Sequence, residues 1–351
     1  MTTAALAAAA ATHTADAAAN SPDTTMRAVV ATGYGKAADV LTLTTVPRPT
    51  PKANELLVRV CATNVTSADT MMRRGTPAFA RLFLGLTKPG AAIPGTGVAG
   101  VVEAVGANVT SFKPGDEVFG ESGLGFGAHA EYVCVPADGV ILPKPAGMSY
   151  DDAIAIADGP MTSFNFLRRM ANVQPGDKVL INGASGALGT AAVQLAHAFG
   201  AEVTGVCSTA NVDLVRSLGA DHVIDYTKED FTAQRDRYDV IYDTVGKSSF
   251  RRCRKALTRT GSYLSPVLGL GLLWQMMWTR MFGRKRARFD ATGLRPPADL
   301  RGFLTQLIAM WEAGTLRSVI ERTYRLDEIH AAHEHVDSGR KKGTIIVHPA
   351  S

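Results

Sequence analysis

One turn restricts the fold of this chain more than any other feature. The apolar run DKVLIN ends at Asn182, Gly183, Gly186 and Gly189 follow at three-residue spacing, and the helical pattern TAAVQLAHAF starts at Thr190. A buried strand that passes through such a turn into a helix opens a βαβ unit and predicts a parallel sheet. Each glycine has its own reason. The first permits a tight turn, Gly186 carries no Cβ where a pyrophosphate must approach the backbone, and Gly189 lets helix and strand pack closely. Read from Ala184, the stretch also matches G-x-G-x-x-G with alanine in the first place. The helix N-terminus then presents unpaired N–H groups and a positive dipole end. Gly183, Ser185, Gly186, Ala187, Leu188 and Gly189 are therefore the expected pyrophosphate turn of a dinucleotide site. The competing reading is a fold of the same type that keeps the turn for packing alone.

The pattern on either side of the turn sets the domain organisation. From Met26 to about Pro145, Val-rich runs such as ELLVRVCAT, GVAGVVEAVG and HAEYVCVP alternate with Gly and Pro, the spacing of a small barrel or sandwich. After Ser149 the runs become strand and helix in alternation, which predicts a doubly wound α/β unit. A chain of 351 residues has room for two domains. The expected division is a disordered Ala- and Thr-rich tail over 1–25, an all-β domain over 26–150, the α/β domain over 151–297 and a closing segment over 298–351.

Composition excludes several classes. A formal net charge of +5 is too small for the dense basic face of a nucleic-acid binder. Cys61, Cys134, Cys207 and Cys253 are scattered singly, which predicts reduced thiols in a cytosolic protein and neither a zinc knuckle nor a disulfide framework. No apolar run reaches the about 18 to 20 residues of a membrane span, so a membrane partner is not expected. The nearest is VLGLGLLWQMMW, over 267–278, followed by Arg280, Arg284, Lys285, Arg286 and Arg288. Four readings of this segment stand: a core helix, a dimer seam, a substrate wall, or a membrane-surface helix. His330, His333 and Glu334 in HAAHEH read as a solvated helix face, and no metal site is expected.

The second strand of the α/β unit decides which dinucleotide is preferred. NAD sites place a carboxylate near its end for the ribose 2′-hydroxyl. Here Cys207, Ser208, Thr209, Ala210 and Asn211 follow VTGV, and no carboxylate comes before Asp213. Small hydroxyl residues leave room for a 2′-phosphate, so NADP(H) is preferred over NAD(H). The alternative is that Ser208 and Thr209 only cap the next helix.

Longer stretches carry a resemblance. PGTGVAGVVEAVGANVTSFKPGDEVFG, GAHAEYVCVP, VQPGDKVLINGASGALGTAAVQLAHAFGAEVTGVCST, LGADHVIDY, YDVIYDTVG and SGRKKGTIIV resemble the medium-chain dehydrogenase/reductase superfamily, in its zinc-independent quinone oxidoreductase branch. The resemblance implies a GroES-like catalytic domain, a Rossmann cofactor domain and a C-terminal return to the first. It also implies a cleft between domains for nicotinamide and substrate, and a homodimer joined through the cofactor domains. Zinc-dependent relatives hold their metal with a Cys where Thr66 stands and a His-Glu pair where Thr96 and Gly97 follow Pro94-Gly95. Hydroxyl and glycine cannot replace thiolate and imidazole, so no zinc is expected.

The family pattern V-N-P-x-D-x-Y reads here Val65-Thr66-Ser67-Ala68-Asp69-Thr70-Met71. Thr66 is a candidate donor to a substrate oxygen or a packed β-branched residue, and Asp69 a catalytic or structural carboxylate. The resemblance further places Thr162 near the nicotinamide and Tyr226 near the adenosine end, while Val212 stands where a basic residue is usual. Asn211 and Thr244 are assigned to the cofactor site as well. The expected activity is hydride transfer from NAD(P)H to a small electron-poor acceptor, a quinone or an α,β-unsaturated carbonyl, which needs no metal Lewis acid. The alternatives are a metal-independent alcohol or acyl-chain dehydrogenase, and a non-catalytic NADP(H)-binding protein with a redox-sensing or structural role.

Overall fold

Strand β8, Lys178–Asn182, is flanked on both edges and buried on both faces, which is why its core reads as unbroken Val-Leu-Ile. The computed structural model describes residues 24–78 and 81–349. The expected tail over 1–25 lies outside these residues except at its end, where strand β1 begins at Thr25. The described chain divides into two units.

The first unit runs to Lys144 and takes in Tyr324–Glu334 and the residues from Val347 on. Strand β1 (Thr25–Ala31) pairs antiparallel with β2 (Leu41–Pro47). The central strand β3 (Glu55–Asn64) pairs antiparallel with β4 (Gly97–Val105) and with β6 (Tyr132–Pro136). Strands β5 (Glu117–Glu121) and β7 (Val140–Pro143) extend the sheet beyond β4. The interior is aliphatic, with Leu56, Val58, Val60, Val98, Val118 and Ile141 fully buried. Helix α1 (Ser67–Arg74) leaves β3 through a two-residue link and ends at Gly75 in the left-handed conformation.

The second unit holds residues 145–323 and 335–346. Beyond β8 it contains β9 (Glu202–Cys207), β10 (His222–Asp225), β11 (Tyr238–Asp243), β12 (Leu257–Leu264) and β13 (Arg286–Arg288). They form one parallel sheet in the order β10-β9-β8-β11-β12-β13, so the chain reverses direction of build between β8 and β11. That reversal is the switch point outside which open α/β sheets bind ligands. Helix α2 (Tyr150–Ala157) starts at Ser149, whose hydroxyl accepts the Asp152 N–H at 3.0 Å. Helix α3 (Gly159–Phe164) runs on into a π-helical turn, Asn165–Met170. Helix α4 is Ala187–Ala198, α5 is Val212–Ser217 and α6 is Phe250–Cys253.

Two expectations change here. Helix α4 begins at Ala187 rather than Thr190, so the last part of the glycine motif is already its first turn. The basic run after the apolar segment supplies β13, the edge strand of the sheet. The segment itself forms helix α7, Leu270–Phe282, of which only Thr279 is buried. A core helix is therefore overturned.

The chain does not divide at 297/298. Helix α8 (Pro297–Glu312) belongs to the second unit, because Leu300, Phe303, Leu304 and Leu307 are its buried face. Phe303 meets the Phe164 ring of α3 at 5.4 Å between centroids. Among the closing elements, β14 (Ile320–Arg325) and β15 (Thr344–His348) are the last strands of the β3 sheet, and α9 is Ile329–Asp337. No helix of the described residues is long and apolar enough to cross a membrane.

Candidate functional site

The glycine turn separates two kinds of glycine. Gly183 has φ +81°, and a Cβ there would lie 2.7 Å from Thr244 Oγ1 and 2.3 Å from Val245 Cγ2. A Cβ on Gly189 would lie 2.0 Å from the Gly183 carbonyl oxygen. Both are therefore required by packing. Gly186 is different. It has φ −78°, which suits any residue, and a Cβ there would meet nothing nearer than 3.6 Å. Its bareness serves no contact within the protein and leaves backbone accessible beside the start of α4. No side chain caps that helix, so its first N–H groups face the same place.

The turn is held from several sides. Gly183 and Ala184 donate to the Val206 carbonyl of β9 at 3.1 and 2.9 Å. Gly343 donates to the Ser185 carbonyl at 2.8 Å. Ser163 of α3 donates to the Leu188 carbonyl at 2.8 Å, which sets the half-buried Thr162 on a helix docked against the turn.

Four expected residues meet at the end of β9. The Asn211 amide donates to Ser185 Oγ at 3.0 Å and to Ser208 Oγ at 3.3 Å. Its buried Oδ1 has no partner among the described residues. An orphaned acceptor beside an open glycine backbone fits the hydroxyl-rich ribose of a dinucleotide. Tyr226 is 59% exposed, and its N–H bonds the Cys207 carbonyl at 3.1 Å, so the ring stands beside the same strand end.

Thr209 departs from expectation. Its hydroxyl donates to Asp225 Oδ2, and Asp225 Oδ1 accepts the Thr227 N–H and hydroxyl at 3.0 and 2.7 Å. These hydrogen bonds, led by Thr209, hold the Asp225 carboxyl down at about 2. A carboxylate thus does stand near the end of β9, but Thr209, Thr227 and Lys228, the last at 3.5 Å, take up its two oxygens, so it is not offered to a ribose 2′-hydroxyl. It comes from the end of β10, which the order of residues along the chain did not reveal. Thr209 is committed to it, which leaves Ser208 as the hydroxyl of this loop free of a carboxylate.

Asp243, at the end of β11, was not anticipated either. It is fully buried and accepts from Asn182 Nδ2 and Tyr263 OH at 2.8 Å each. It also accepts from the N–H groups of Ser248, Gly246 and Val245 at 2.9, 3.0 and 3.3 Å. Burial, then the adjacent Asp243 charge, pushes the Tyr263 hydroxyl up, so it stays protonated and donates. Thr244 follows directly and donates to the Asn182 carbonyl at 2.8 Å. Asp243 thereby shapes the loop that closes over Gly183. The signal that finds it is a carboxylate ending a parallel strand next to the switch point.

In the first unit, Thr66 and Asp69 form a capping box. Thr66 Oγ1 accepts the Asp69 N–H at 3.0 Å and donates to Asp69 Oδ2 at 2.7 Å, while the Thr66 N–H donates to Asp69 Oδ2 at 2.8 Å. The Thr66 proton is committed to starting α1, while Asp69 Oδ1 is buried and has no partner among the described residues. Thr66, Thr96 and Gly97, at the positions where zinc-dependent relatives carry ligands, hold neither thiolate nor imidazole. Among the described residues no group of three His, Cys, Asp or Glu is placed to hold a metal.

His333 overturns the solvated-face reading. Its side chain is fully buried, edge-on to His129 with centroids 5.6 Å apart, and neither ring nitrogen has a partner. His129 Nε2 donates to the Asn64 carbonyl at 2.9 Å. Burial first, then His129, Arg73 and His330, push His333 down from 6.5 to about 2. An unfolded chain takes up this proton below its ordinary value and the folded chain does not, so stability falls as the pH drops below that value. Unfolding in urea should cost about 2 kcal/mol less at pH 5 than at pH 8 through this residue. In His333→Leu that slope should vanish; an unchanged slope would refute the assignment.

A groove of 1010 Å³ runs between α7 and β13 and shares no lining residue with the glycine turn.

Comparison with known proteins agrees with this geometry. Residues 52–146 match the alcohol dehydrogenase GroES-like domain, and residues 218–347 match the zinc-binding dehydrogenase family. The 2-methylene-furan-3-one reductase of Solanum lycopersicum is 32% identical over 343 residues, covering 92% of this chain and 79% of its own length. The structure of the quinone oxidoreductase from Coxiella burnetii has a TM-score of 0.82 at 27% identity, over 93% of this chain and 100% of that one. The Escherichia coli quinone oxidoreductase complexed with NADPH has a TM-score of 0.81 at 25% identity, over 92% and 100%. With a GroES-like first unit, a Rossmann-like second unit and these relatives, the chain belongs to the medium-chain dehydrogenase/reductase superfamily, in its quinone oxidoreductase-like branch.

Proposed function

We propose that this protein is a zinc-independent, NADPH-dependent oxidoreductase that reduces a quinone or an α,β-unsaturated carbonyl. The observation that carries the reading is the open backbone of Gly186 at the uncapped start of α4. The relatives add the acceptor class, since their names are those of quinone oxidoreductases and a furanone reductase. The dinucleotide, when bound, supplies the hydride. The chain's own residues bind and orient it. The N–H groups of Ala187, Leu188 and Gly189 face the pyrophosphate. Asn211 Oδ1 accepts a ribose hydroxyl. Ser208 donates to the 2′-phosphate, and the exposed Tyr226 ring packs at the adenosine end. Thr162 and Thr244 flank the nicotinamide side of the turn. An electron-poor acceptor needs positioning more than a Lewis acid, which agrees with the residues at positions 66, 96 and 97.

Oxidation of NADPH and NADH against a panel of quinones, enones and simple alcohols tests this reading. Turnover is expected with quinones or enones and not with alcohols. The KM for NADPH should lie about tenfold below that for NADH, the worth of one charge-assisted hydrogen bond. Tight cofactor binding without turnover of any acceptor would sink the proposal.

A further inference from the structure

Helix α7 carries an apolar stripe that the other described residues leave exposed. Leu270, Leu273, Trp274, Met277, Trp278 and Met281 recur at the spacing of one helical face. All are exposed, from 42% for Leu273 to 77% for Leu270. Phe282 continues the stripe, its ring 5.0 Å from that of Trp278. The other face anchors the helix. Leu272 and Met276 pack on the core built by Phe250, Tyr263 and Ala287. Thr279 is buried and its hydroxyl accepts the Ala287 N–H at 3.1 Å. The stripe is thus an exposed face of a docked helix, with Leu270, Leu273, Trp274 and Met277 bordering the groove beside β13, and it is larger than the scattered apolar residues of an ordinary surface.

Charge decides what it meets. Between Asp243 and Asp290 the sequence has no carboxylate, while cations run from Lys247 to Arg259 and again from Arg280 to Arg288. Lys285 is paired with Asp236 at 3.2 Å, and Arg286 bonds the Thr279 carbonyl. Arg280 and Arg284 are exposed at the C-terminal end of the stripe. A second copy set on this face across a two-fold axis would press one carboxylate-free segment against another. An anionic bilayer complements it. Tryptophan, leucine and methionine beside arginine is the composition of a helix that lies in the boundary between headgroups and acyl chains.

We infer that α7 is an interfacial anchor that lays its stripe into the surface of a bilayer containing anionic lipid. The helix has 13 residues, where a span needs about 20, so it lies in the membrane plane. The inference rests on α7 alone and holds whatever the acceptor is.

The test uses the full chain with phosphatidylcholine vesicles, with and without phosphatidylserine. Trp274 and Trp278 are two of the three tryptophans, so their emission reports insertion directly. Binding is expected only with phosphatidylserine, with a blue shift of emission and weakening in salt. A double variant Met277→Ser/Met281→Ser keeps both tryptophans and should lose binding about tenfold or more. Arg280→Glu/Arg284→Glu should lose at least as much, since each basic residue near the surface contributes about fivefold. Both variants change exposed residues and should melt with the wild type. Three results would overturn the inference. One is no binding to either vesicle, and another is binding that ignores phosphatidylserine or the substitutions. The third is a wild-type dimer that Met277→Ser/Met281→Ser converts to monomer in sedimentation velocity, which would make the stripe a contact between copies.

Discussion

Gly186→Ala is expected to remove most NADPH binding while leaving the fold intact, and Gly189→Ala is expected to do the reverse damage first. At Gly186 the backbone suits any residue and the added methyl meets no atom within 3.6 Å. The stability cost should stay within about 1 kcal/mol, the difference between Gly and Ala at a helix N-cap. The methyl instead occupies the approach to the backbone, so affinity for NADPH should fall by more than about tenfold. At Gly189 the same methyl would sit 2.0 Å from the Gly183 carbonyl and 2.7 Å from Ala184 Cα. Neither neighbour is a flexible side chain, so helix and strand must separate, at a cost of about 3 kcal/mol. Denaturant unfolding and NADPH titration of the two variants separate the effects. Unchanged NADPH affinity in Gly186→Ala would place the pyrophosphate elsewhere.

Asp243→Ala should be the most destabilising single change near the site. The carboxylate accepts from a side-chain amide, a phenol and the backbone N–H groups of Val245, Gly246 and Ser248. Alanine leaves those donors unmatched in the interior, and breaking a buried, fully bonded charge costs about 4 kcal/mol. The effect should reach the cofactor as well, because Thr244 and Val245 bound the space at Gly183. A raised KM for NADPH, with a smaller change in kcat, is expected at a temperature where the variant remains folded. Asp243→Asn keeps the shape but presents an NH2 to groups that are themselves donors, so it should restore only part of the loss. Wild-type melting in Asp243→Ala would refute the role. Recovery of KM by Asp243→Asn would show that shape matters more than charge.

The sequence by itself determined what local pattern can carry. Gly183, Gly186 and Gly189 between an apolar strand and a helix specify the turn, because chain geometry within a few residues leaves little choice. Ser149 marks the start of α2 for the same reason. The alternation after Ser149 implies the parallel sheet, since right-handed crossovers admit few arrangements. Tertiary structure alone decided the rest. Asp225 reaches Thr209 because β10 lies beside β9 in the sheet. Asp243 becomes a hub because the loop after β11 folds back over its own strand end. His333 is buried because packing sets it against His129, on the side of the helix it shares with buried Ala332, while its other neighbour Glu334 is exposed. Helix α7 shows the converse. Its composition leaves a core helix, a dimer seam, a substrate wall and a membrane-surface helix all open, and only the docking of Leu272 and Met276 shows that the stripe beside them stays exposed. Backbone preference acts over a few residues and can be read along the chain. Burial, charge pairing and exposure depend on which strands become neighbours, and that is settled only when the whole chain has packed.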